Sequence, residues 1–345
     1  MKKIKDIYCN LITLSNVFKS YDEFKKGKRK SKELQQFEQK AEDNLFVLYE
    51  KLKNKKYLPG TYTSFYVQDP KQRLIHKAPV VDRIVHHLVS KKLENIFEPT
   101  FISHSYSCRK EKGTHKGLKD LQRFTRKVSK NNTQECWALK CDIRKFFASV
   151  NQKILFQILT KKIIDKDFLS LLSNIIKSFN SGIVNKGMPI GNLTSQLFAN
   201  IYLNELDQYV KHKLKIRYYI RYMDDFVILS SNRYCLEKLI PTVRFFLENN
   251  LDLELHPKKV KIFNLKNGID FLGYILFSHH ILPRTKTKRR LIKKIREKIK
   301  AYKMGMITAD SLYQTVQSYL GYLQHSNAYE LTEKVKQMIY LELDF

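Results

Sequence analysis

Two adjacent aspartates, Asp224 and Asp225, interrupt a segment that is otherwise apolar and aromatic, residues 216–229. Carboxylates that are buried without a cationic partner cost on the order of several kcal/mol. A tight turn between two strands avoids that cost, because it places both acids at the surface, where a metal ion can join them. The segment therefore predicts a β-hairpin with the two acids at its tip. Because Asp is also common in ordinary turns, the prediction depends on the whole context of residues 221–229.

A third carboxylate, Asp142, ends an apolar strand predicted over residues 137–143. If that strand lies beside the hairpin, Asp142 lies next to the hairpin tip; otherwise Asp142 is a strand-end cap. Hard oxygen ligands of this kind suit Mg²⁺. Two such ions, about 3.5–4 Å apart, can stabilise both the attacking and the leaving oxygen of a phosphoryl displacement. We therefore expect two Mg²⁺ ions at these acids, with Mn²⁺ as a substitute.

The balance of charge predicts a polyanionic partner. The chain has 64 Lys and Arg against 33 Asp and Glu, a formal net charge of +31. Such an imbalance repels itself in a compact protein, and a polyanion removes the repulsion by neutralising charge and releasing counterions. Nucleic acid is the first candidate partner and an anionic membrane the second. A solubility device, or a genome biased towards lysine codons, is the alternative explanation.

The cysteines and the N-terminus indicate the compartment. The five cysteines show neither disulfide-like nor zinc-binding spacing, which favours a reduced, cytoplasmic setting: Cys9, Cys108, Cys136, Cys141 and Cys235. Polar residues break the apolar run at the N-terminus, so no signal peptide is predicted. No stretch reaches the roughly 18 apolar residues of a membrane helix, and we expect no membrane partner.

Apolar periodicity predicts a chain of mixed α+β character. Helices are predicted at residues 31–52, 80–97, 152–160, 166–179, 193–213 and 234–249, and strands at 61–69, 137–143, 252–256, 259–264 and 270–277. Residues 17–30, which contain five cations around Gly27, are predicted to be a loop or mobile arm. Residues 284–300 carry ten Lys or Arg and one acid. Together with helices near 309–324 and 329–341, they predict a basic, all-helical C-terminal module.

Taken in order, the motifs resemble those of reverse transcriptases from bacterial and phage retroelements. Tyr222-Met223-Asp224-Asp225 resembles the YxDD box, and Asp142 with Phe146-Phe147 resembles the first catalytic motif of the palm. Residues 73–87 and 105–115 resemble the fingers motifs, and residues 187–207 resemble the template-and-primer helix. Residues 256–259 resemble the block after the hairpin, and residues 271–274 resemble the primer grip. The resemblance spans residues 73–277 and extends weakly into the thumb.

The resemblance implies a right-hand polymerase fold of the α+β class, in which an antiparallel palm sheet packs on helices. A basic N-terminal extension is expected at residues 1–30, and an N-terminal helix with the fingers at 31–135. The palm is expected at 136–283, with a fingers insertion at about 150–188, and a basic helical thumb at 284–345.

The resemblance also implies catalytic roles. The metal-binding set is three acids and one backbone carbonyl: Asp142, Asp224, Asp225 and Ile143. Of these, Asp142 and Asp224 are expected to bridge the ions, with Asp225 as the third carboxylate. Lys259 is expected to protonate the leaving pyrophosphate, although His256 stands where the family has Asn, and the adjacent Lys258 is the alternative.

Contacts with the substrates follow in the same way. Arg73, with Lys71 as the alternative, is expected to reach the triphosphate, because a guanidinium matches phosphate geometry. Phe147 is expected under the sugar, where a ring would exclude a ribose 2′-hydroxyl and favour dNTPs; core packing is the alternative. Ile190 and Gly191 are expected to line the nascent base pair. The expected template and primer contacts are Asn192, Gln196, Tyr222, Met223, Phe271, Leu272, Gly273, Tyr274, Arg289 and Arg290.

Residues 189–196 narrow the resemblance further. Group II intron-type enzymes carry Pro-Gln-Gly followed by Ser-Pro, whereas this chain has Ile190 for Gln and Gln196 for Pro. These changes are similar to diversity-generating retroelement reverse transcriptases, which copy a template RNA with errors at adenines. The implied partners are the template RNA, the RNA/DNA duplex, dNTPs and a small basic accessory protein, a homo-oligomer encoded separately. The alternatives are a group II intron-type or phage-defence reverse transcriptase, a DNA-templated or protein-primed polymerase, and a non-catalytic RNA-binding protein of the same fold.

Overall fold

The computed structural model describes residues 3–69 and 71–343, which form helices around three antiparallel sheets. The helices are α1 (Ile7–Leu11), α2 (Leu14–Lys25), α3 (Lys32–Glu38), α4 (Ala41–Lys53), α5 (Val80–Phe97), α6 (Thr114–Val128), α7 (Phe146–Ser149), α8 (Gln152–Thr160), α9 (Lys166–Lys177), α10 (Leu193–Gln208), α11 (Arg233–Leu251), α12 (Thr285–Lys303), α13 (Ala309–Leu323) and α14 (Tyr329–Leu343). The strands are β1 (Thr63–Val67), β2 (Arg73–Lys77), β3 (Trp137–Asp142), β4 (Tyr219–Tyr222), β5 (Asp225–Ser230), β6 (Lys261–Asn264), β7 (Ile269–Phe271), β8 (Tyr274–Leu276) and β9 (Ile281–Pro283). None of the described helices combines the length and the apolar character that crossing a bilayer requires.

A four-stranded antiparallel sheet in the order β4-β5-β3-β6 lies at the centre of the chain. Because successive side chains of a strand point to opposite faces, each strand supplies two hydrophobic surfaces. Leu139 and Cys141 of β3, with Phe226 and Ile228 of β5, join residues of α8, α10 and α11 in the main hydrophobic core. The predicted strand at 137–143 and the predicted hairpin at 216–229 are confirmed. The two acids lie at the hairpin tip as predicted, but they are half-buried and not fully exposed at the surface, because the tip lies beside the end of β3.

The opposite face of the sheet packs on a second core. Ala138, Ile220, Val227 and Leu229 meet apolar residues of α6 and of the small sheet β7-β8-β9. The sheet is therefore covered on both faces, and its charged side chains lie at the strand ends, apart from Lys140 in β3 and Arg221 in β4. This arrangement explains why residues 137–143 have a nearly continuous apolar character.

The C-terminal helices α12, α13 and α14 share a third core. Leu291, Ile295 and Ile299 form the apolar stripe of α12, at the spacing of one helical face. The other positions of α12 are mostly cationic and exposed or half-buried. The helices predicted at 284–300, 309–324 and 329–341 are confirmed.

The prediction of a loop or arm at residues 17–30 is confirmed for residues 26–30, which lie in turns and irregular structure, and is wrong for residues 17–25. Residues 14–25 form α2, which is capped by the Thr13 side chain and buries Val17, Tyr21 and Phe24. These apolar residues recur at spacings of three and four, and they join the main core. The cationic run from Lys25 to Lys30 masked this periodicity in the sequence, although only Lys25 of that run lies inside the helix.

Three other boundaries differ from the predictions. The helix predicted at 31–52 is divided between α3 and α4, and Lys40 has a non-helical backbone at the break. Residues 252–256 form no strand; only Leu255 makes an isolated bridge, to Ile143. The strand predicted at 270–277 is a hairpin, because Leu272 and Gly273 both have positive φ and reverse the chain.

A buried histidine of α5 predicts acid-sensitive stability. His86 is 2% exposed, and among the described residues neither of its ring nitrogens has a hydrogen-bond partner. Burial lowers the pKa of His86 to about 4. Because the native state resists protonation while the unfolded state does not, the free energy of unfolding falls as the pH drops from about 6.5 towards 4.

We expect His86→Leu to remove about 2–3 kcal/mol of the stability lost between pH 7.5 and 4.5. The measurement is urea-induced unfolding of the variant and the wild type at both pH values. His279→Leu is the matched control, because His279 is exposed. Equal acid-induced losses in the wild type and His86→Leu would contradict the assignment.

Candidate active site

The three predicted carboxylates meet at one end of the central sheet. Asp142 is the last residue of β3, and it is the direct cross-strand partner of Asp225, the first residue of β5. Asp224 is the adjacent turn residue, because Tyr222 and Asp225 form the last pair of the β4–β5 ladder. The register of the sheet therefore brings together acids that are distant in sequence.

Burial and mutual repulsion raise the pKa of two of these acids. For Asp224, burial is the largest cause and the charge of Asp225 the next, and the pKa rises to about 6. Burial also raises the pKa of Asp225, although the Lys140 ammonium opposes the rise, and Asp142 adds to it by charge and by a hydrogen bond. Neighbouring carboxyls that resist ionisation provide a site where an added cation is favourable.

Lys259 reaches this end of the sheet from the segment that follows α11. The backbone N–H of His256 donates to the Asp142 carbonyl at 2.8 Å, and the N–H of Lys259 donates to the His256 carbonyl at 3.1 Å. This turn places the Lys259 ammonium 2.5 Å from Oδ2 of Asp142. Lys258 is exposed, and its backbone N–H donates to Nδ1 of His256. The turn therefore selects one of the two adjacent lysines for contact with the acids.

The donor set has the chemistry that a divalent cation requires. Its side-chain ligands are oxygens alone, and the half-buried carboxylates Asp224 and Asp225 carry raised pKa values. Within the part of the chain that the structure describes, no three acidic, histidine or cysteine side chains already surround one point. The Lys259 ammonium supplies the positive charge beside Asp142. A metal ion would therefore bind beside this ammonium or displace it from Asp142.

Two adjacent rings follow Asp142, and the structure separates their roles. Phe146 is buried in the main core, whereas Phe147 is only partly buried at the edge of that core. The rings contact edge to face, with centroids 5.3 Å apart. The Phe147 carbonyl accepts a hydrogen bond from the Met188 N–H at 2.7 Å, which ties Phe147 to the loop before α10. Phe147 is thus the ring that remains partly accessible.

That loop packs against strand β2. The His76 N–H donates to the Ile190 carbonyl at 3.0 Å, and the Asn192 side chain donates to the His76 carbonyl at 3.2 Å. Gly191 has a φ of 114°, and a Cβ there would lie 2.8 Å from Cγ2 of Ile75. The close approach that this glycine permits is therefore to β2.

A cavity of about 450 Å³ lies between this loop and the elements that surround it. Gly191, Asn192 and Gln196 line it on one side. The remaining lining comes from α2, from the β1–β2 hairpin and from α5. Three of the residues predicted for the nucleotide and the template thus share one cavity.

The residues predicted to bind the triphosphate lie on the β1–β2 hairpin. Arg73 begins β2 as the partner of Val67, and both Arg73 and Lys71 are exposed. In the described residues, no ion pair joins either cation to the three acids. Asp69 lies between β1 and β2, and its carboxylate oxygens are 3.6 Å from Nη1 of Arg290 and 3.5 Å from Nζ of Lys294 on α12.

The predicted primer grip is the turn between β7 and β8. Phe271 and Tyr274 are both buried in the second core, so only Leu272 and Gly273 at the turn remain available to a primer. The Gly273 carbonyl accepts hydrogen bonds from the Tyr322 hydroxyl, at 2.7 Å, and from the Arg284 N–H, at 2.9 Å. These contacts join the turn to the C-terminal helices.

The remaining predicted contacts lie on the hairpin and on α12. Tyr222 is half-buried against the second core, and Met223 has a φ of 55° in the turn. Arg289 is exposed on α12, and Arg290 is half-buried beside Asp69. The structure therefore places Tyr222 and Met223 at the acids and the two arginines on the cationic helix.

The sequence analysis missed a buried ion pair behind the hairpin. Arg221 and Asp207 are both fully buried, with Nη2 of Arg221 2.6 Å from Oδ2 of Asp207. The Tyr219 hydroxyl donates to the same carboxylate at 2.8 Å. The sequence does contain a pattern that could have predicted this pair. Arg221 and Asp207 each stand at an inward position of an apolar element, β4 and α10, and such charges are buried only when they are paired.

Comparison with known proteins gives one family and several relatives. Residues 67–276, more than half of the chain, match the family described as reverse transcriptase (RNA-dependent DNA polymerase). Protein YkfC of Escherichia coli K12 is 27% identical over 271 residues, which cover 67% of this chain and 71% of YkfC. The group II intron-encoded protein LtrA of Lactococcus lactis subsp. cremoris is 22% identical over 304 residues, which cover 68% of this chain and 50% of LtrA. The chain thus spans about half the length of LtrA.

Among solved structures, apo telomerase from Candida tropicalis has a similar fold. The TM-score is 0.52 at 12% sequence identity, over 83% of this chain and 58% of the telomerase chain. At this identity the likeness concerns the fold alone. It agrees with the right-hand polymerase fold of the α+β class that the motifs imply.

Proposed function

The chain belongs to the reverse transcriptase (RNA-dependent DNA polymerase) family, and we propose from this premise that it copies a template RNA into cDNA. The observation that carries the proposal is the cross-strand pairing of Asp142 with Asp225, beside Asp224 in the turn. All three acids lie inside the matched range of residues 67–276. A purely structural RNA-binding protein would have no need to keep three acids together at one end of a sheet.

We propose that Asp142, Asp224, Asp225 and the Ile143 carbonyl hold two Mg²⁺ ions, or Mn²⁺ in their place. When bound there, the ions would supply activation of the primer 3′-hydroxyl and neutralisation of charge on the phosphate that it attacks. The carboxylates orient the reacting groups, and Lys259 donates a proton to the leaving pyrophosphate. Arg73, or Lys71, binds the triphosphate from the fingertip.

Selection of the sugar and of the template is proposed for the residues around Phe147. The partly exposed Phe147 ring would exclude a ribose 2′-hydroxyl, because its partner ring Phe146 is committed to the core. Asn192 and Gln196 would contact the template, and Leu272 and Gly273 the primer end. The cationic helix α12, with Arg289 and Arg290, would follow the phosphate backbone without reading sequence.

We propose the corresponding division into fingers (31–135), palm (136–283) and thumb (284–345), with 150–188 as the fingers insertion. Helix α2 of the N-terminal segment contributes Val17 and Phe24 to the main core, where α5 also packs. That segment would therefore belong to the fingers as a packed element.

The test is Mg²⁺-dependent incorporation of dNTPs on a primed RNA, with the products sequenced. The expected result is a cDNA that depends on both the RNA and the metal ion. Binding of the primed RNA without incorporation, even with the cognate RNA and an accessory protein added, would instead support a non-catalytic RNA-binding protein.

Within this activity, we propose a diversity-generating role with errors at template adenines. The supporting observation is Ile190, which is half-buried and lies beside Gly191 in the loop against β2. An apolar side chain cannot donate the hydrogen bonds that an amide at this position would give, so discrimination at the template base is relaxed. A small basic accessory protein, encoded separately as a homo-oligomer, would act with this chain.

We expect Ile190→Gln to lower misincorporation opposite template adenine, by about tenfold if one hydrogen bond of about 1.4 kcal/mol is restored. The measurement is the error spectrum of cDNA made by the variant and by the wild type on one RNA. Ile183→Gln is the matched control, because Ile183 lies in the same segment between α9 and α10 but is exposed. An adenine error rate that does not change in Ile190→Gln would exclude this role for the side chain.

A group II intron-type reverse transcriptase is the second candidate function. The likeness to LtrA over 68% of this chain favours it, whereas Ile190 and Gln196 favour the diversity-generating role. The same sequencing experiment separates the two candidates. Errors concentrated at adenines support diversity generation, and evenly spread errors support the intron-type enzyme.

A further inference from the structure

Arg221 is the largest fully buried side chain of the described residues, and its guanidinium makes five hydrogen bonds. Nε and Nη2 donate to the Asp207 carboxylate at 2.8 and 2.6 Å. Nη2 also donates to Oγ of Ser105 at 3.2 Å, and Nη1 donates to Oδ1 of Asn200 at 3.3 Å and to the Met223 carbonyl at 3.0 Å. A guanidinium has five N–H groups in a fixed planar arrangement, so the number of bonds equals the number of donors.

Only two of these five bonds neutralise charge. The bidentate pair with Asp207 compensates the buried cation, and such a pair is replaceable in principle by apolar side chains of similar volume. The other three bonds go to neutral oxygens on three separate segments: Ser105 before α6, Asn200 on α10 and Met223 in the hairpin turn. The fork formed by the planar N–H groups of the Arg221 guanidinium, rather than its charge, connects these segments.

The bond to Met223 reaches the only part of the hairpin without ladder pairing. Tyr222 and Asp225 form the last ladder pair, so Met223 and Asp224 depend on other contacts. Met223 has a φ of 55°, a conformation that residues other than glycine adopt rarely. Because the peptide unit is planar, the Met223 carbonyl and the Asp224 N–H lie in one rigid plane. Holding that carbonyl therefore orients the backbone from which the Asp224 side chain projects.

The main chain of Arg221 is held independently of its side chain. Its N–H donates to the His104 carbonyl, and its carbonyl accepts from the Tyr106 N–H, both at 3.0 Å. On the other side, Arg221 is paired with Phe226 in the β4–β5 ladder. A shorter cation at this position would keep the strand in place while losing part of the fork.

We propose that Arg221 is a positioning residue for nucleotidyl transfer, acting through the Met223 carbonyl to fix the turn peptide that carries the Asp224 carboxylate. This inference rests on the proposed polymerase function. Arg221 is too deeply buried to touch a substrate, so its effect on the reaction passes through Asp224. Loss of the fork would leave the substrates bound and the acid misaligned.

The test compares Arg221→Lys with Arg109→Lys. Arg109 is a matched control, because it forms a bidentate pair with Glu98 and also donates to the backbone carbonyls of Ile102 and Ser105. It therefore has the same kind of network, without a bond to the turn. In both variants a lysine keeps the charge but replaces the planar fork by one ammonium.

At saturating dNTP, we expect single-turnover incorporation to fall about tenfold to a hundredfold in Arg221→Lys. The dNTP concentration for half-maximal rate should change less than about threefold, because nucleotide binding does not use the turn peptide. The Kd for Mn²⁺ alone, followed by electron paramagnetic resonance, should rise in Arg221→Lys and stay at the wild-type value in Arg109→Lys. A residue that acts only on folding would change neither the rate per folded molecule nor the metal affinity.

A second variant keeps the test decisive if Arg221→Lys folds poorly. Arg221→Met combined with Asp207→Leu removes both buried charges together, and it should show the same fall in rate at wild-type thermal stability. Wild-type rate and Mn²⁺ affinity in a folded Arg221 variant would overturn the proposal, as would an equal fall in Arg109→Lys. Absence of incorporation by the wild-type protein, even with the cognate RNA and an accessory protein added, would instead refute the proposed function, and this inference with it.

Discussion

Asp224→Asn is expected to lower the rate of primer extension by on the order of 10³-fold or more. The variant should be at least as stable as the wild type. The loss is expected because the variant removes one of the three carboxylates proposed to hold the metal ions, which would neutralise charge at the reacting phosphate. The measurement is single-turnover dNTP incorporation at saturating primed RNA. The Kd for the primed RNA should change less than about twofold, because Asp224 lies at the end of the sheet and not on α12.

The stability of the same variant provides an independent check. Burial and the Asp225 charge raise the pKa of Asp224 to about 6, so the charged carboxylate is disfavoured in the native state. Its contribution to the free energy of unfolding is present at low pH and is lost as the pH rises through about 6. Asn carries no charge, so thermal unfolding at pH 8 should occur at the same temperature as in the wild type or higher.

Asp310→Asn is the matched control, since it makes the same chemical change at an exposed residue of α13. It should retain full activity and show no rise in stability at pH 8. If Asp224→Asn retained activity, the hairpin tip would not be the reaction centre. If Asp224→Asn lost activity because it unfolded, the charged Asp224 carboxylate would stabilise the native state. Burial could then not be the main cause of its raised pKa.

The hairpin and its acids were predictable because local pattern and long-range structure agree there. Tyr219, Ile220 and Tyr222 precede the acids, and the apolar residues 226–229 follow them. Both faces of the central sheet are covered, so burial demands that pattern. Asp142 could be named for the same reason, as the polar end of a buried strand. Its partner could not be named from spacing alone, because the cross-strand register with Asp225 depends on packing of the whole sheet.

The errors arose where two signals competed over the same residues. In α2 the cations beside Phe24 suggested a loop. The apolar stripe of Val17, Tyr21 and Phe24 nevertheless stabilises a helix there, because it packs into the main core. At residues 270–277 the apolar run suggested one strand. The turn at Leu272 required positive φ in a residue that rarely adopts it, which no propensity would indicate.

Contacts between distant segments lay beyond the sequence. The Lys259 ammonium meets Asp142 only because the His256 turn is hydrogen-bonded to the end of β3. Arg221 meets Asp207 only because β4 packs on α10. Sequence motifs marked these segments as neighbours of the site, but the choice between Lys258 and Lys259, and the role of Arg221, came from geometry.

Lys259→Gln is expected to slow incorporation by about 10²–10⁴-fold at neutral pH, the range for loss of a general acid. Gln keeps much of the side-chain length and can still donate a hydrogen bond to Asp142, but it can neither carry charge nor release a proton. Lys258→Gln is the matched control, because Lys258 is adjacent and exposed. It should keep its rate within about threefold, as expected of a surface cation at the edge of the site.

Lys259→Arg separates proton donation from ion pairing. A guanidinium can pair with Asp142 but does not release its proton near neutral pH, so this variant should remain as slow as Lys259→Gln if Lys259 is the acid. A rate restored by Arg would show that the ion pair alone matters. A solvent deuterium isotope effect on the wild-type rate, absent from both variants, would identify the proton transfer directly.

The pH profile of the two variants tests the electrostatic part of the same contact. The Lys259 charge lowers the pKa of both Asp224 and Asp225, opposing the effect of burial. Removing that charge in Lys259→Gln should therefore raise both pKa values, and the acidic limb of the rate profile should move to higher pH. Lys259→Arg keeps the charge, so its acidic limb should stay at the wild-type position although its rate is low. An equal shift in both variants would mean that lost geometry, rather than lost charge, disturbs the acids.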